Sequence, residues 1–270
     1  MSGRRGFTLV ELLVVALLGV VLLLATYEVL VVNQRTYTVQ NEQVKAQQST
    51  SAALGILFGE LREVSSRGGD ILAYGQDGIT IRAMRSVGLA CQVTLGPTPV
   101  VRVWTPYDRF EVGDSVFVFA ANVEASSSDD AWIPALVTAA DSTVTCGAQK
   151  AMDLTFAGQS AAFAADSVRV GAPMRSFERY RYELSDQDGD GYLVRTAGAG
   201  TAVPLVGPLS SGLATPPGLE LAYFDATGAV AASATDIREI RVIVRTVSAA
   251  TKRGGAQVGD SITASVYTRN

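Results

Sequence analysis

An apolar run opens the chain and extends from residue 7 to residue 32. As a helix, these 26 residues would reach about 39 Å, at about 1.5 Å per residue, which exceeds the roughly 30 Å hydrocarbon core of a bilayer. The acid that stands out in this run is Glu11, and inserting a carboxylate at the centre of a bilayer costs about 2.5–3.5 kcal/mol. The pattern predicts a membrane-spanning helix in which Glu11 has a partner or a role.

After the apolar run, the chain becomes polar but stays compatible with a helix. Residues 33–51 are rich in glutamine and charge and contain no proline. Apolar side chains then recur every three or four residues, as on one face of a helix packed against a globular partner. They are Leu54, Leu57, Phe58, Leu61 and Val64. The serines and glycines at 65–69 should end the helix, so residues 33–66 are predicted to continue the membrane helix as an amphipathic segment.

From residue 70 onward, the pattern changes to short β-branched and aromatic runs separated by glycine, proline and aspartate. Residues 71–74 and 78–82 flank the turn sequence Gly75-Gln76-Asp77-Gly78, which predicts a β-hairpin. Further strands are predicted at 100–104, 115–120, 133–138, 142–146, 152–156, 167–170, 177–184, 192–196, 219–225, 237–247 and 262–269. The predicted fold class is α+β, with one long N-terminal helix packed on a β-rich head at residues 70–270.

The residue types in the chain limit the chemistry of this head. There are 22 basic and 26 acidic residues and no histidine. The missing histidine removes the commonest general base and the commonest transition-metal ligand, so histidine-dependent hydrolases and zinc sites are not expected. The acidic balance argues against general nucleic acid binding. We therefore expect a protein that is not an enzyme and carries no cofactor, with calcium as the one exception considered below.

Two groups of arginines suggest basic surfaces on the head. They are Arg175, Arg179 and Arg181, and later Arg238, Arg241 and Arg245. Arg179 and Arg181 of the first group alternate with Tyr180 and Tyr182, which suggests stacking on single-stranded nucleic acid. Alternate residues of a strand point to opposite faces, however, so a solvated face over a packed one is the preferred interpretation. The second group is predicted to line an exposed basic edge of a half-buried sheet.

The chain contains two cysteines, Cys91 and Cys146. An even number on the oxidising side of a membrane permits complete pairing. We predict one disulfide that closes a mid-chain lobe at residues 91–146. Two buried free thiols are the alternative, because the sequence does not show whether the two Cα atoms come within about 7 Å.

An acidic motif, Asp186-Gln187-Asp188-Gly189-Asp190-Gly191, matches the first half of a calcium-binding loop. Asp186, Asp188 and Asp190 occupy its first, third and fifth positions, with glycine at the sixth, and such oxygen-rich spacing suits calcium. The twelfth position holds Ala197 instead of the bidentate glutamate, and the motif joins two predicted strands. An aspartate-glycine hairpin turn is therefore preferred, with calcium binding as the alternative.

The residues around Glu11 resemble the N-terminus of a known family. Arg4-Arg5-Gly6 followed by Phe7-Thr8-Leu9-Val10-Glu11-Leu12-Leu13 is similar to the class III leader of type IV pilins and type II secretion pseudopilins. The resemblance implies a leader peptide at residues 1–6, cleavage after Gly6 by a prepilin peptidase, N-methylation of Phe7, and docking of Glu11 in a filament. The alternatives are a secretory signal, whose apolar region is typically about 7–15 residues long, or a plain single-pass anchor.

The order of segments from residue 177 to the C-terminus resembles that of large W-type minor pilins and J-type pseudopilins. The two resemblances together imply a lollipop-shaped, pilin-like fold and a minor pilin that assembles into, and primes, a type IV pilus-like filament. The alternatives are a type II secretion pseudopilin near the pseudopilus tip, or a tip adhesin or DNA-uptake receptor. The implied partners are other pilin or pseudopilin subunits, the prepilin peptidase and an inner-membrane assembly platform.

The expected location follows from the two arginines before the apolar run. Arg4 and Arg5 favour a cytoplasmic N-terminus by the positive-inside bias, and residues after about 33 then lie outside. We expect a single-pass inner-membrane protein with its head in the periplasm, which later moves to the pilus or pseudopilus at the cell surface.

Overall fold

The computed structural model describes residues 8–106, 109–121, 130–163, 168–251 and 255–269. One long helix, α1 (Leu9–Leu61), precedes a head of mostly antiparallel strands. The architecture is the predicted α+β class, a long helix whose C-terminal part packs on a β-rich head.

Helix α1 ends earlier than the sequence pattern predicts. It ends at Leu61, and the chain then turns through residues 62–69 before the first strand. Asp70 fixes the turn that follows, because its carboxylate accepts a hydrogen bond from the Ser65 backbone N–H at 3.0 Å, and its own N–H donates to the Ser65 carbonyl. Such local side-chain bonds compete with a helix. Val64 lies beyond the helix but remains buried against the head, as the predicted apolar stripe requires.

The head contains fourteen strands in the described residues, together with a short helix and a 3₁₀ turn. The strands are β1 (Ile71–Gly75), β2 (Gly78–Thr94), β3 (Val100–Trp104), β4 (Ser115–Ala120), β5 (Ala131–Leu136), β6 (Ala139–Asp141), β7 (Thr145–Cys146), β8 (Gln149–Thr155), β9 (Pro173–Gln187), β10 (Asp190–Ala197), β11 (Ala202–Leu209), β12 (Leu219–Phe224), β13 (Glu239–Thr251) and β14 (Gln257–Tyr267). The short helix α2 is Ser160–Phe163, and the 3₁₀ turn is Ala234–Asp236.

These strands form two sheets. The larger follows the order β11-β10-β9-β2-β3-β8-β6, with β1 beside β2, β4 between β9 and β5, and β7 beside β8. The smaller contains β12, β13 and β14 in that order. Helix α1 contacts β13 and β14 of the small sheet and the edge strand β11 of the large one. The helix therefore lies where the two sheets meet.

Both predicted hairpins are confirmed. Gly75 pairs with Gly78 in the first, and Gln187 pairs with Asp190 in the second. The strand predicted at 167–170 is wrong for the described part, because residues 168–171 form coil and a turn. Ser167 lies outside the described residues.

The predicted basic edge at Arg238, Arg241 and Arg245 is also wrong. Strand β13 is the central strand of its sheet, and Arg238 precedes it. Arg241 bonds Glu239 at 3.2 Å and lies over the Phe224 ring. The interpretation failed because a strand rich in arginine resembles an edge strand, although Arg241 and Arg245 here pair with glutamates and Arg238 bonds Ser66.

The buried residues fall into two hydrophobic clusters. The first joins α1 to the small sheet and to the near ends of β2, β9, β10 and β11. The second lies between β3, β4, β5, β8 and α2. Strands β2 and β9 belong to both clusters: Ile81 and Tyr182 lie in the first, and Ala90 and Met174 in the second. These two long paired strands therefore connect the helix-bearing part of the head to its distal part.

Candidate functional site

The N-terminal part of α1 projects beyond the head. Nearly all side chains of residues 9–41 are exposed, including its leucines and valines. At about 1.5 Å per residue, this part is about 50 Å long. Among the described residues, the first hydrogen bond from α1 to the head is at Glu42. The apolar part of this helix, residues 9–32, is costly to expose to water, which fits a position in lipid or against other helices.

Glu11 lies in the first turn of this projecting helix. Its Oε2 accepts hydrogen bonds from the Thr8 backbone N–H and from Thr8 Oγ1, both at 3.3 Å. Thr8 Oγ1 in turn accepts from the Glu11 N–H at 3.3 Å. This reciprocal arrangement is a capping box, which satisfies N–H groups that have no partner within the helix. A carboxylate here also lies at the positive end of the helix dipole.

Small and polar side chains dock the C-terminal part of α1 onto the head. The buried residues of the helix are Ala46, Ser49, Thr50, Ala53, Leu57 and Leu61. Thr50 Oγ1 donates to Asp260 Oδ2 of β14 at 2.8 Å, and Ser49 Oγ donates to the Gly207 carbonyl of β11 at 3.2 Å. The buried stripe thus begins two turns before the predicted Leu54. Sequence reasoning missed this part because serine and threonine in a glutamine-rich segment resemble a solvated face.

Comparison with family models assigns the N-terminal segment. Residues 1–27 match the model of the prokaryotic N-terminal methylation motif. The chain has the N-terminus of a type IV pilin or pseudopilin. Searches of curated proteins and of solved structures found no match. The motif belongs to structural proteins that assemble with other pilin subunits and are processed by a prepilin peptidase.

The motif agrees with the geometry of α1 in this pilin-like chain. Among the described helices, α1 is the one that is long and apolar enough to cross a membrane. Gly6 and Phe7, the predicted cleavage and methylation residues, lie outside the described residues and directly precede the Thr8 cap. Glu11 is in place one turn into the helix. Its role in assembly stays a prediction.

The predicted disulfide of the head is confirmed. Cys91, near the end of β2, is bonded to Cys146 in β7, and the two Cα atoms are 6.1 Å apart. The bond joins the short edge strand β7 to the C-terminal end of the long strand β2. It therefore stabilises the distal part of the head, away from α1.

The acidic motif forms a tight hairpin between β9 and β10. Asp188 and Gly189 both have positive φ, 53° and 92°, as a two-residue type I′ turn requires. Asp186 uses both carboxylate oxygens within the chain, accepting from Ser211 Oγ at 2.9 Å and from the Gly212 N–H at 2.8 Å. Among the described residues, no group of three or more acidic or cysteine side chains is arranged around a metal position. The preferred hairpin turn is confirmed, and calcium binding by Asp186, Asp188 and Asp190 stays an untested alternative.

The arginines and tyrosines of β9 point to opposite faces. Tyr180 and Tyr182 are buried in the first hydrophobic cluster, and burial raises the pKa of Tyr182 to about 12. Arg179 and Arg181 are exposed, and Arg181 pairs with Glu183 at 2.7 Å. Stacking and phosphate contacts would therefore require opposite sides of the sheet, which confirms the interpretation of a solvated face over a packed one.

A buried ionic site fixes the turn that follows α1. Asp70 is 4% exposed, and its Oδ1 lies 3.8 Å from Arg175 Nη2. Arg175 also packs over the Trp132 ring, 4.7 Å from its centroid. Burial raises the pKa of Asp70, while the Ser65 N–H and nearby arginines oppose that shift. Sequence reasoning gave neither residue this role, since the pair joins segments more than a hundred positions apart.

The apolar run at residues 7–32 contains a second acid besides Glu11. Glu28 is exposed and has apolar residues 29–32 directly after it. Arg35 follows seven residues later and is exposed too. The signal in the sequence was a further charge inside residues 7–32.

Proposed function

We propose that this chain is a non-enzymatic filament subunit of the minor pilin type. The observation that supports the proposal is the projecting, apolar part of α1 with Glu11 in its first turn, preceded by the methylation motif. Cleavage after Gly6 leaves Phe7 as the new N-terminus, which is then N-methylated. The projecting helix serves first as membrane anchor and later as the packing surface in the filament.

In this proposal, Glu11 has two successive partners. In the free subunit it belongs to the capping box with Thr8. During assembly, its carboxylate pairs with the amino terminus of a neighbouring subunit, which lies at about the same depth in the membrane. Pairing removes the cost of a lone charge in an apolar setting. A subunit without its neighbour therefore stays in the membrane, and a paired one enters the filament.

The orientation of the subunit follows from its flanking charges. Arg4 and Arg5 hold the leader in the cytoplasm, and the head lies in the periplasm of an inner-membrane precursor. The Cys91–Cys146 disulfide suits this location, because such bonds persist in oxidising compartments.

The minor subunit role is supported by the form of the head. Its second hydrophobic cluster and its disulfide lie away from α1. They enlarge the head in a region that does not contribute to the packing of α1 helices in a filament shaft. A subunit of this kind suits a position near the tip, where it primes filament growth. A type II secretion pseudopilin is the second candidate, because the methylation motif and the projecting helix serve both machines equally.

The decisive experiment is the intact mass and N-terminal sequence of the full chain recovered from cells with a prepilin peptidase. We expect a chain that begins at Phe7 and carries one added methyl group. The same chain from a peptidase-deficient strain, and a Gly6→Val variant from the peptidase-positive strain, should both keep Met1. A wild-type chain that keeps Met1 in both strains, or is cut beyond Val32, would overturn the proposal.

A further inference from the structure

Strand β14 forms an open edge of the small sheet, because among the described strands it pairs with β13 alone. The Thr268 N–H, just past the end of β14, donates to the Arg238 carbonyl and therefore faces β13. In an antiparallel strand, the backbone groups of successive residues point in opposite directions. The residues whose N–H and C=O groups point away from β13 are therefore Ser261, Thr263, Ser265 and Tyr267. None of these backbone groups has a hydrogen-bond partner among the described residues.

This open edge lacks the features that keep exposed strands from pairing with other chains. Proteins protect such edges with prolines, bulges, charges or very short strands. Strand β14 has eleven residues and contains no proline, and its exposed side chains are all uncharged. Its register with β13 is unbroken from residue 259 to residue 267, so no bulge interrupts it there. A further strand could therefore pair along nearly its whole length.

The other described edge strands of six residues or more are each protected. Strand β5 contains Pro134, and β11 contains Pro204 and Pro208. Along β12, the Leu221 N–H donates to the Gln76 carbonyl in the turn between β1 and β2. This contrast within one molecule favours a pairing role for the open edge of β14.

Two partly buried apolar side chains of α1 lie on the side of the open edge. Thr50 donates to Asp260 of β14, whereas Ser49 donates to β11 on the other side of the helix. Each step of four residues turns an α-helix by about 40°, in the same sense as the step from Ser49 to Thr50. Leu54 and Phe58 therefore lie on the β14 side, where the first hydrophobic cluster covers them only in part. A strand added to β14 would cover them and extend this core.

We propose that the open edge of β14 binds an extended segment of a different protein, which becomes a fourth strand of the small sheet. The segment alternates in character. Its side chains on the α1 side are apolar and cover Leu54 and Phe58, and those on the outer face are polar and lie beside Thr263 and Ser265. Backbone hydrogen bonds supply the affinity, and the alternating side chains supply the specificity. This inference goes beyond the proposed function and requires neither cleavage after Gly6 nor a filament.

A second copy of this chain does not fit the open edge. Strand β14 runs in the same direction as α1, since Asp260 bonds Thr50 and the Arg269 N–H donates to the Val64 carbonyl. Antiparallel pairing of two β14 strands would point their α1 helices in opposite directions, which two chains anchored in one membrane cannot do. Parallel pairing of the same edges would turn the polar outer face of the second strand toward the apolar side chains of α1. The partner is therefore a segment with a different sequence.

The first test measures residue-resolved amide exchange of the full chain in detergent, with a synthetic peptide as the added strand. The peptide alternates valine and threonine between terminal lysines, and the control peptide is N-methylated on all its amides, so it cannot pair. In the free chain, amides 262, 264 and 266 should be protected, and amides 261, 263, 265 and 267 should exchange fast. At about ten times its Kd, the peptide should slow the second set by roughly tenfold. No slowing, or equal slowing by the control peptide, would refute the proposal.

Three variants separate pairing from folding. Thr263→Pro removes an N–H that points away from β13, which an edge strand tolerates, and should weaken peptide binding by roughly tenfold or more. Thr263→Val keeps that N–H and should bind within about twofold of wild type. Phe58→Ala leaves β14 unchanged but removes part of the apolar contact, and should weaken binding severalfold. Protection of amides 262, 264 and 266 checks that each variant folds, and binding unaffected by both Thr263→Pro and Phe58→Ala would contradict the proposal.

Photo-cross-linking in intact cells identifies the natural segment. A photoreactive residue replaces the exposed Ser261, and the cross-linked peptide is sequenced by mass spectrometry. We expect a segment of a different protein with alternating apolar and polar residues, whose yield falls in the Thr263→Pro chain and not in the Thr263→Val chain. A cross-link to β14 of a second copy, or to no segment with this alternation, would overturn the choice of partner. A wild-type chain that keeps Met1 would overturn the proposed function without changing either result.

Discussion

At the scale of single residues, Glu11 has a local role in the capping box and a proposed intermolecular role, and substitution can separate the two. Glu11→Ala removes the charge and the bond that its carboxylate accepts from the Thr8 N–H, whereas Thr8→Ala removes the hydroxyl that caps the Glu11 N–H and keeps the charge. We expect Glu11→Ala to be cleaved and inserted normally but to enter filaments roughly tenfold or more less often, as for loss of a hydrogen-bonded charge pair. Thr8→Ala should cost about 1 kcal/mol of helix stability in the first turn and assemble nearly normally.

The measurement for this pair of variants is the ratio of chain in sheared filaments to chain in membranes. Intact mass establishes cleavage in each case. Equal incorporation of Glu11→Ala and wild type would show that the carboxylate serves the helix end alone.

Asp70 should make the stability of the head depend on pH in an unusual direction. Burial raises its pKa above the unfolded value, so its contribution to stability is greatest when it is protonated and is lost as the pH rises through the folded pKa. Asp70→Asn keeps an oxygen that accepts the Ser65 N–H bond but carries no charge. We expect the variant to gain stability relative to wild type as the pH rises from 3 to 7, measured by urea unfolding of the full chain in detergent.

Asp225→Asn is the matched control for this titration. Hydrogen bonds from Thr227 lower the pKa of Asp225, so its stabilising effect is present above its unfolded pKa and is lost as the pH falls through the folded pKa. The control should therefore lose stability relative to wild type at pH 7 and approach it at acidic pH. The same trend in both variants would contradict the role of burial at Asp70.

At the scale of elements, the docking of α1 depends on a hydroxyl group within an apolar stripe. Thr50 is fully buried and donates to Asp260 across the helix–sheet contact. Thr50→Val keeps the shape of the side chain but leaves the carboxylate without this donor, which should cost about 1–3 kcal/mol of unfolding free energy. Ser51→Ala, on the exposed neighbour, should change it by less than about 0.5 kcal/mol. Equal effects of the two substitutions in urea unfolding would show that the Thr50–Asp260 hydrogen bond does not stabilise the docking of α1.

The Cys91–Cys146 disulfide stabilises the strands of the distal part of the head. It joins cysteines 55 positions apart, and the chain-entropy relation gives about 4 kcal/mol for a loop of this length. A chain with both Cys91→Ser and Cys146→Ser should lose stability of that order while α1 stays docked. Thiol alkylation without reductant should leave the mass of the wild-type chain unchanged.

The elements that the sequence predicted well are those whose signals are local. Helix α1 follows from its apolar run, and the hairpin at Asp188-Gly189 follows from a turn that needs positive φ. The predicted strand stopped at residue 82 because Ser86 and Gly88 interrupt the apolar alternation. Strand β2 nevertheless continues to Thr94, with Ser86 buried and its N–H bonded to Ser176 Oγ. Strand β11 was missed because prolines 204 and 208 break its pattern, yet an edge strand tolerates them. The site residues near Glu11 were predictable from the motif, whereas Asp70 with Arg175 required the tertiary fold.

At the scale of the whole molecule, the two hydrophobic clusters stabilise different parts of the head. Leu57 of α1 belongs to the first cluster, and Phe156 beyond β8 belongs to the second. Only β2 and β9, among the described strands, contribute buried residues to both clusters. The helix-side cluster fixes the head to α1, and the distal cluster supports the surface that points away from this helix.

This division predicts different responses to cavities in the two clusters. Leu57→Ala should cost about 2–5 kcal/mol and Phe156→Ala about 3–5 kcal/mol of unfolding free energy. Hydrogen exchange of the full chain should show Leu57→Ala lowering amide protection in α1 and in β12 to β14, with β3, β4 and β8 much less affected. Phe156→Ala should give the reverse pattern of protection. It should leave incorporation into filaments near the wild-type level, because α1 stays packed on the small sheet. Loss of protection throughout the head in both variants would mean that β2 and β9 couple the clusters into one cooperative unit, and incorporation would then fall for both.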